Sequence, residues 1–134
     1  RAPSAAMVES TMQAIGAMSW KEFSGVMEEA LRRDGFLVKP LQGGVADFAA
    51  AQVGTHALVS CKRWKAAKPG VEQLRELAAA VQAHEDAREG VFVTIGELST
   101  NAQEFAAANR IQILQGPVLA QLLKGIVVIA KPAR

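Results

Sequence analysis

The chain has 134 residues, half of them hydrophobic, and a formal net charge of +2, so its composition predicts one globular domain and points only weakly to a polyanionic partner. The single cysteine excludes an internal disulfide and suits a reducing compartment. With only two histidines in the chain as well, a His/Cys zinc site is disfavoured. No apolar run is long enough to cross a bilayer. The sequence begins at Arg1 rather than Met, which is compatible with a preceding segment.

The first part of the chain contains two helical patterns. Val8, Met12 and Ile15 are spaced for a helix, although the composition of residues 1–18 equally permits a linker arm. A helix over residues 20–33 is predicted by SWKE (residues 19–22), which has the form of a capping box, and by Gly35 at the position of a left-handed C-terminal cap.

The rest of the chain alternates between short strand patterns and helical patterns. Apolar runs bounded by Pro and Gly predict strands at residues 36–38, 45–52, 57–64, 91–95 and 111–114. Apolar spacing predicts helices at residues 71–84 and 100–108 and a short one after Pro117. Residues 126–134 suit a tail, or an edge strand at 126–129 that is able to pair with a second copy in a homodimer.

The order of these elements predicts the topology. Short turns join the first three strands, so we expect these strands to be antiparallel. The helix at residues 71–84 is long enough for a crossover, so strand 91–95 should join the sheet in parallel. The fold class is therefore α/β, a mixed central sheet flanked by helices in the order α-β-β-β-α-β-α-β.

The stretch LVSCKRWK (residues 58–65) predicts a strand that begins apolar and ends cationic. Alternation of side chains would put Ser60, Lys62 and Trp64 on one face. Asp47, on the preceding strand, can then lie close to Lys62. An acid and a lysine that project together from adjacent strands form a site in which the carboxylate holds a divalent ion and the ammonium stabilises developing charge.

Six stretches follow one another between Trp20 and Leu123 in the order of a known nuclease family: WKEFSGVMEEALRRDGF, QGGVADF, LVSCKRWK, GVEQLREL, GVFVTIGELSTNAQEFAAANRIQIL and GPVLAQLL. They resemble the Mrr-type restriction endonuclease domain of the PD-(D/E)XK nuclease superfamily. The resemblance implies a restriction-endonuclease-like core over residues 19–125, DNA as the partner, and Mg²⁺ or Mn²⁺ as the cofactor. Asp47 matches the metal-binding acid of the family, and Lys62 matches its lysine.

The sequence departs from the family pattern at three positions. Ser60 stands where the family has Gln or Glu two residues before the lysine. Ser24 stands where the family often has an acid, and Gln42 where it commonly has Asp. A hydroxyl is a poorer ligand for Mg²⁺ than a carboxylate, so the resemblance implies weak metal binding. Glu28 lies on the helix face of Ser24 and is a candidate replacement for the missing acid.

Two functions stay open from the sequence. The first is a metal-dependent DNA endonuclease, and the second is a catalytically inactive nuclease-like module that binds DNA or protein, which Ser60 and Ser24 favour. We expect a cytoplasmic domain without membrane contacts of its own, although family members can carry membrane helices ahead of it. The predicted catalytic set is Asp47, Ser60 and Lys62, with metal at Asp47 and Glu28 and the DNA backbone at Lys62, Arg63, Lys65 and Lys68.

Overall fold

The computed structural model describes residues 2–62 and 64–126, and its helices and strands follow the predicted order. The helices are α1 (Ala5–Gly16), α2 (Trp20–Arg33), α3 (Val71–Ala83), α4 (Thr100–Ala108) and α5 (Gly116–Leu122), and the strands are β1 (Leu37–Pro40), β2 (Phe48–Gln52), β3 (Thr55–Ser60), β4 (Glu89–Val93) and β5 (Ile111–Leu114). The predicted α/β fold is confirmed. None of the helices in these ranges is both long enough and apolar enough to cross a membrane.

The strands form one mixed sheet in the order β1-β2-β3-β4-β5. β1 and β2 are antiparallel, as are β2 and β3, with Phe48 of β2 opposite Val59 of β3. β4 joins β3 in parallel and β5 joins β4 in parallel, because α3 and α4 carry the chain back before each of these strands. The topology agrees with the prediction and brings the C-terminal ends of β3 and β4 side by side.

Apolar side chains cover both faces of this sheet. Met27 of α2 packs in a layer with Val59, and α1 and α5 contribute to the same layer. Leu77 of α3 packs with Leu58 in the layer on the other face, to which α4 contributes. Neighbouring residues of β3 therefore enter opposite layers, as side-chain alternation along a strand requires.

The N-terminal segment is a helix that is part of the core. The Ser4 hydroxyl accepts the amide N–H of Met7 at 3.1 Å and caps α1. Ile15, near the end of α1, is fully buried, and its carbonyl accepts the indole N–H of Trp64 at 3.0 Å. Of the two alternatives for residues 1–18, the structure shows the helix. The predicted edge strand or tail falls mostly on residues 127–134, outside the described ranges, and stays a prediction.

The predicted strand boundaries near Asp47 were wrong. β2 begins at Phe48 rather than at residue 45, and β3 ends at Ser60 rather than at residue 64. The amide of Cys61 donates to Oδ2 of Asp47 at 2.6 Å, so a side chain takes the hydrogen bond that a longer strand would have used. Alternation stops at Ser60, and Trp64 packs with Cys61 in the α2 layer instead of sharing the face of Ser60.

The segment that follows β3 is held against the turn that follows β4. The amide of Ile95 donates to the carbonyl of Trp64 at 2.9 Å, and the amide of Glu97 donates to the carbonyl of Ala67 at 3.2 Å. Gly96 lies between these two bonds, where an added Cβ would come within 2.7 Å of the Ala67 oxygen. A glycine is required here because the two backbones approach so closely.

We expect Gly96→Ala to lower the free energy of unfolding by about 1–3 kcal/mol, because the methyl group meets backbone that cannot rotate away. Gly25→Ala is the matched control, since a Cβ at this α2 position has no atom within 4 Å. It should raise the free energy of unfolding by about 0.5–1 kcal/mol. Urea denaturation followed by circular dichroism measures both changes, and equal effects at the two positions would contradict the close approach at Gly96.

Candidate active site

Asp47 is a buried carboxylate held by two different parts of the chain. Its Oδ1 accepts the indole N–H of Trp20, the first residue of α2, at 3.0 Å. Its Oδ2 accepts the backbone N–H of Cys61, directly after β3, at 2.6 Å. Because each oxygen has its own donor, the plane of the carboxylate is fixed between the start of α2 and the end of β3.

The side chains of Lys62 and Ser60 donate hydrogen bonds to the segment that precedes Asp47. The Lys62 ammonium donates to the carbonyl of Gly44 at 2.6 Å, and the Ser60 hydroxyl donates to the carbonyl of Val45 at 2.8 Å. Together with the bond from Cys61 to Asp47, three consecutive residues at the end of β3 each bind one residue of the 44–47 segment. The structure thus brings Asp47, Ser60 and Lys62 together, with only the Lys62 side chain exposed.

The thiol of Cys61 lies inside this arrangement and is fully buried. Burial raises the pKa of the Cys61 thiol far above its ordinary range, and the negative charge of Asp47 adds to the rise. The folded chain therefore keeps the thiol proton at a pH where the unfolded chain has released it. The free energy of unfolding must then fall as the pH rises above about 8.5.

We expect the wild-type chain to lose about 1 kcal/mol more stability than Cys61→Ala between pH 8.5 and 9.5, because only the wild type has this thiol to ionise on unfolding. Urea denaturation of both chains at the two pH values measures the difference. Parallel losses in the two chains would show that the thiol of Cys61 ionises as readily in the folded state as in the unfolded state.

Trp64 anchors the segment after β3 rather than offering a ring to DNA. Its ring stacks on that of Phe23, with centroids 4.9 Å apart, and its indole N–H is bound to Ile15. Only 4 % of the residue is exposed, and the Lys65 ammonium lies 5.1 Å from the ring centroid. Stacking of Trp64 on a base is therefore not available in this structure.

The exposed lysines follow β3 in one segment. Lys62, Lys65 and Lys68 all face solvent, whereas Arg63 lies outside the described residues. The Lys65 ammonium lies over the ring of Trp64, which stacks on Phe23 in the first turn of α2, so Lys65 lies close to the start of this helix. The cationic segment therefore adjoins the end of the sheet that carries Asp47.

Glu28 is not brought to Asp47. Its Oε2 pairs with the guanidinium of Arg32 at 2.6 Å, and Arg32 also donates to the carbonyl of Val38. Glu28 lies eight residues beyond Trp20 along α2, about 12 Å along the helix axis. Within residues 2–62 and 64–126, no group of three or more His, Cys, Asp or Glu side chains could hold a metal ion.

Asp47 can still contribute one ligand to a divalent ion. Each of its oxygens accepts a hydrogen bond, and a carboxylate offers about four acceptor positions. Mg²⁺ is commonly bound through one or two carboxylates together with the phosphates of the substrate. The donor set therefore fits an ion shared with a bound phosphate, and it does not fit a complete cage made by protein alone.

Sequence reasoning missed Trp20 as a partner of Asp47. The capping box predicted that Trp20 begins the helix, and the structure confirms both hydrogen bonds of that box between Ser19 and Glu22. Nothing in the spacing of the residues showed that the start of this helix lies over the end of β3. The pairing joins residues 27 positions apart and follows from tertiary packing alone.

The chain is similar to a protein family and to solved structures. The family model Mrr_cat, described as a restriction endonuclease, matches residues 15–123. No curated protein matched the sequence. The crystal structure of AF1548, a protein of unknown function, is 19 % identical with a TM-score of 0.53, over 69 % of this chain and 56 % of that one. The restriction endonuclease MspJI, in complex with a 27-mer oligonucleotide, is 16 % identical with a TM-score of 0.41, over 87 % of this chain and 27 % of that one.

Proposed function

Because the chain belongs to the Mrr-type restriction endonuclease family, we propose that it is a DNA endonuclease domain that hydrolyses phosphodiester bonds where Asp47 and Lys62 meet at the end of β3. The observation that carries the proposal is the attachment of residues 60–62 to the 44–47 segment, which holds an acid and a lysine at one place. The family membership supplies the reaction class, and the local geometry supports the residues assigned to it.

Lys62 has the position and the charge to act on a phosphate. Its ammonium is exposed and now donates to the Gly44 carbonyl, a bond that it can exchange for one to a phosphate oxygen. There it stabilises the negative charge that grows on the phosphate as water attacks. Asp47 would hold Mg²⁺ or Mn²⁺, and the bound ion would supply an activated water and neutralise charge.

The neighbouring lysines supply affinity for the DNA backbone. Lys65 and Lys68 lie in the exposed segment after β3, and Arg63 belongs to it by sequence. Contacts of Lys and Arg with phosphates release counterions, so DNA binding should weaken steeply as salt is added. A DNA substrate and a single buried thiol also support a cytoplasmic location.

A second candidate function is a nuclease-like module that binds DNA without cutting it. The observation in its favour is the state of Ser60, which donates its hydroxyl proton to Val45 and supplies no carboxylate beside Asp47. The distance of Glu28 from the site points the same way. In this alternative the exposed lysines keep their role, whereas the acid at position 47 serves only to hold α2 against β3.

Plasmid cleavage with Mg²⁺ or Mn²⁺ tests the two functions against each other. The endonuclease proposal expects cleavage that EDTA stops and that Lys62→Ala lowers by about 10²–10³-fold. Lys124→Ala is the matched control and should cleave normally. Lys124 is also exposed, and its carbonyl binds Arg33 at the far end of α2 from Trp20, about 20 Å along the helix.

The module alternative expects salt-dependent DNA binding, no cleavage by the wild type, and cleavage gained by Ser60→Glu, which adds the missing carboxylate. A wild-type chain that neither binds nor cuts DNA would contradict both functions. Wild-type cleavage that Lys62→Ala leaves intact would place the reaction somewhere other than the end of β3.

A further inference from the structure

Trp20 is a large aromatic side chain that remains half-exposed while its polar edge contacts a buried acid. It is 46 % exposed, and its indole N–H donates to Oδ1 of Asp47 at 3.0 Å. Burial of apolar surface explains only part of this placement, because nearly half of the residue faces solvent. The hydrogen bond to the Asp47 carboxylate is the specific contact that Trp20 makes.

The first turn of α2 is held in place, which restricts where the indole of Trp20 can lie. The capping box between Ser19 and Glu22 defines the first turn of the helix. Phe23, in the same turn, is fully buried and stacked on Trp64. Trp20 is the first residue of this anchored turn, and its indole N–H is held against Asp47 by the hydrogen bond to Oδ1.

The two donors to Asp47 come from different parts of the fold. Trp20 holds Oδ1 from α2, and the amide of Cys61 holds Oδ2 from the end of β3. Such bonds to an ionised group are stronger than bonds between neutral groups. The amide belongs to the backbone, so the indole is the side chain of this pair that sets the direction of the carboxylate.

We propose that Trp20 is a positioning residue that aims the Asp47 carboxylate at the divalent ion, a role that rests on the function proposed above. Carboxylates that bind metal ions depend on such outer hydrogen bonds, and removal of the outer partner commonly costs about 10–100-fold in metal affinity. A role for Trp20 in stability alone would leave the metal affinity of the folded chain unchanged.

The experiment compares Mn²⁺ binding by the wild type and by Trp20→Phe, in the presence of a short DNA duplex, from the electron paramagnetic resonance signal of free Mn²⁺. The duplex alone gives the background. Phenylalanine keeps an aromatic ring and removes the N–H, so the expected result is binding about 10–100-fold weaker. Leu37→Ala is the matched control, because Leu37 is a highly exposed apolar residue of β1, and its Mn²⁺ affinity should not change.

A second measurement shows that the variant is folded. The chain has two tryptophans, so Trp20→Phe leaves only the buried Trp64, whose emission should stay blue-shifted as in a native core. Equal Mn²⁺ affinity in the wild type and in folded Trp20→Phe would overturn the positioning role and leave the proposed function standing. If the wild type with duplex takes up no Mn²⁺ above background, the proposed function fails, and the positioning role fails with it.

Discussion

Asp47→Ala is expected to lower DNA cleavage by about a thousandfold, because in the proposed function the variant loses the carboxylate that would hold the divalent ion, and such an ion contributes several kcal/mol to the transition state. The same substitution should lower the free energy of unfolding by about 1–3 kcal/mol, since the buried amide of Cys61 loses its acceptor. Initial rates on supercoiled plasmid and urea denaturation measure the two effects. Asp34→Ala, at an exposed acid that pairs with Arg33, is the control.

The combined effects on cleavage and on the free energy of unfolding distinguish Asp47→Ala from Lys62→Ala. Lys62→Ala should also lose cleavage. Because Lys62 is exposed, its free energy of unfolding should change by less than about 0.5 kcal/mol. A stability loss in Asp47→Ala is expected whether or not the domain cuts DNA, because it follows from the hydrogen bonds alone. Cleavage by Asp47→Ala at the wild-type rate would remove this residue from the reaction.

Trp64→Ala is expected to produce the largest loss of stability, about 3–5 kcal/mol, because it empties a large volume in the α2 layer. It also removes the ring that Phe23 stacks on and the N–H that binds the carbonyl of Ile15. Trp64→Phe keeps a ring and should lose less, about 1–3 kcal/mol, through the carbonyl left without its donor. Urea denaturation followed by circular dichroism measures both variants.

Leu37→Ala provides the reference for loss of an apolar side chain from the surface. Leu37 is 78 % exposed, so the free energy of unfolding should change by less than about 0.5 kcal/mol. If Trp64→Ala were as mild as Leu37→Ala, the packing of Trp64 between Phe23 and Ile15 would not hold in solution. A large loss in Trp64→Ala together with near-native stability in Trp64→Phe would assign the effect to ring packing rather than to the hydrogen bond.

Most of the fold could be predicted from the sequence because its signals are local. The capping box at Ser19, the helical spacing of apolar residues and the Gly and Pro breaks each act within one element. The crossover rule then predicted that strand 91–95 joins the sheet in parallel. Residues 1–18 were ambiguous for the same reason, since their spacing allows a helix but tertiary contacts, among them the hydrogen bond from Trp64 to Ile15, make it part of the core.

The site was harder to predict because side chains interrupt the regular pattern there. The predicted alternation of side chains required β3 to continue to residue 64. Instead, the amide of Cys61 donates its hydrogen bond to the Asp47 carboxylate, and the strand ends at Ser60. Trp64 therefore packs with Cys61 in the α2 layer and does not share the face of Ser60 as alternation predicted. Glu28 did carry a usable local signal, because Arg32 lies four residues later on α2 and predicts the ion pair that the structure shows.

The hydrogen bond between Trp64 and the carbonyl of Ile15 has a practical consequence for shortened forms of the domain. A truncation that begins at residue 19 deletes both the acceptor of the indole N–H and the helix that shields the ring. In such a fragment the ring of Trp64 would be exposed to solvent beside the cationic segment, and the fragment is expected to aggregate. A cut ahead of Ser4 keeps the capped helix in place and is the better boundary for expression.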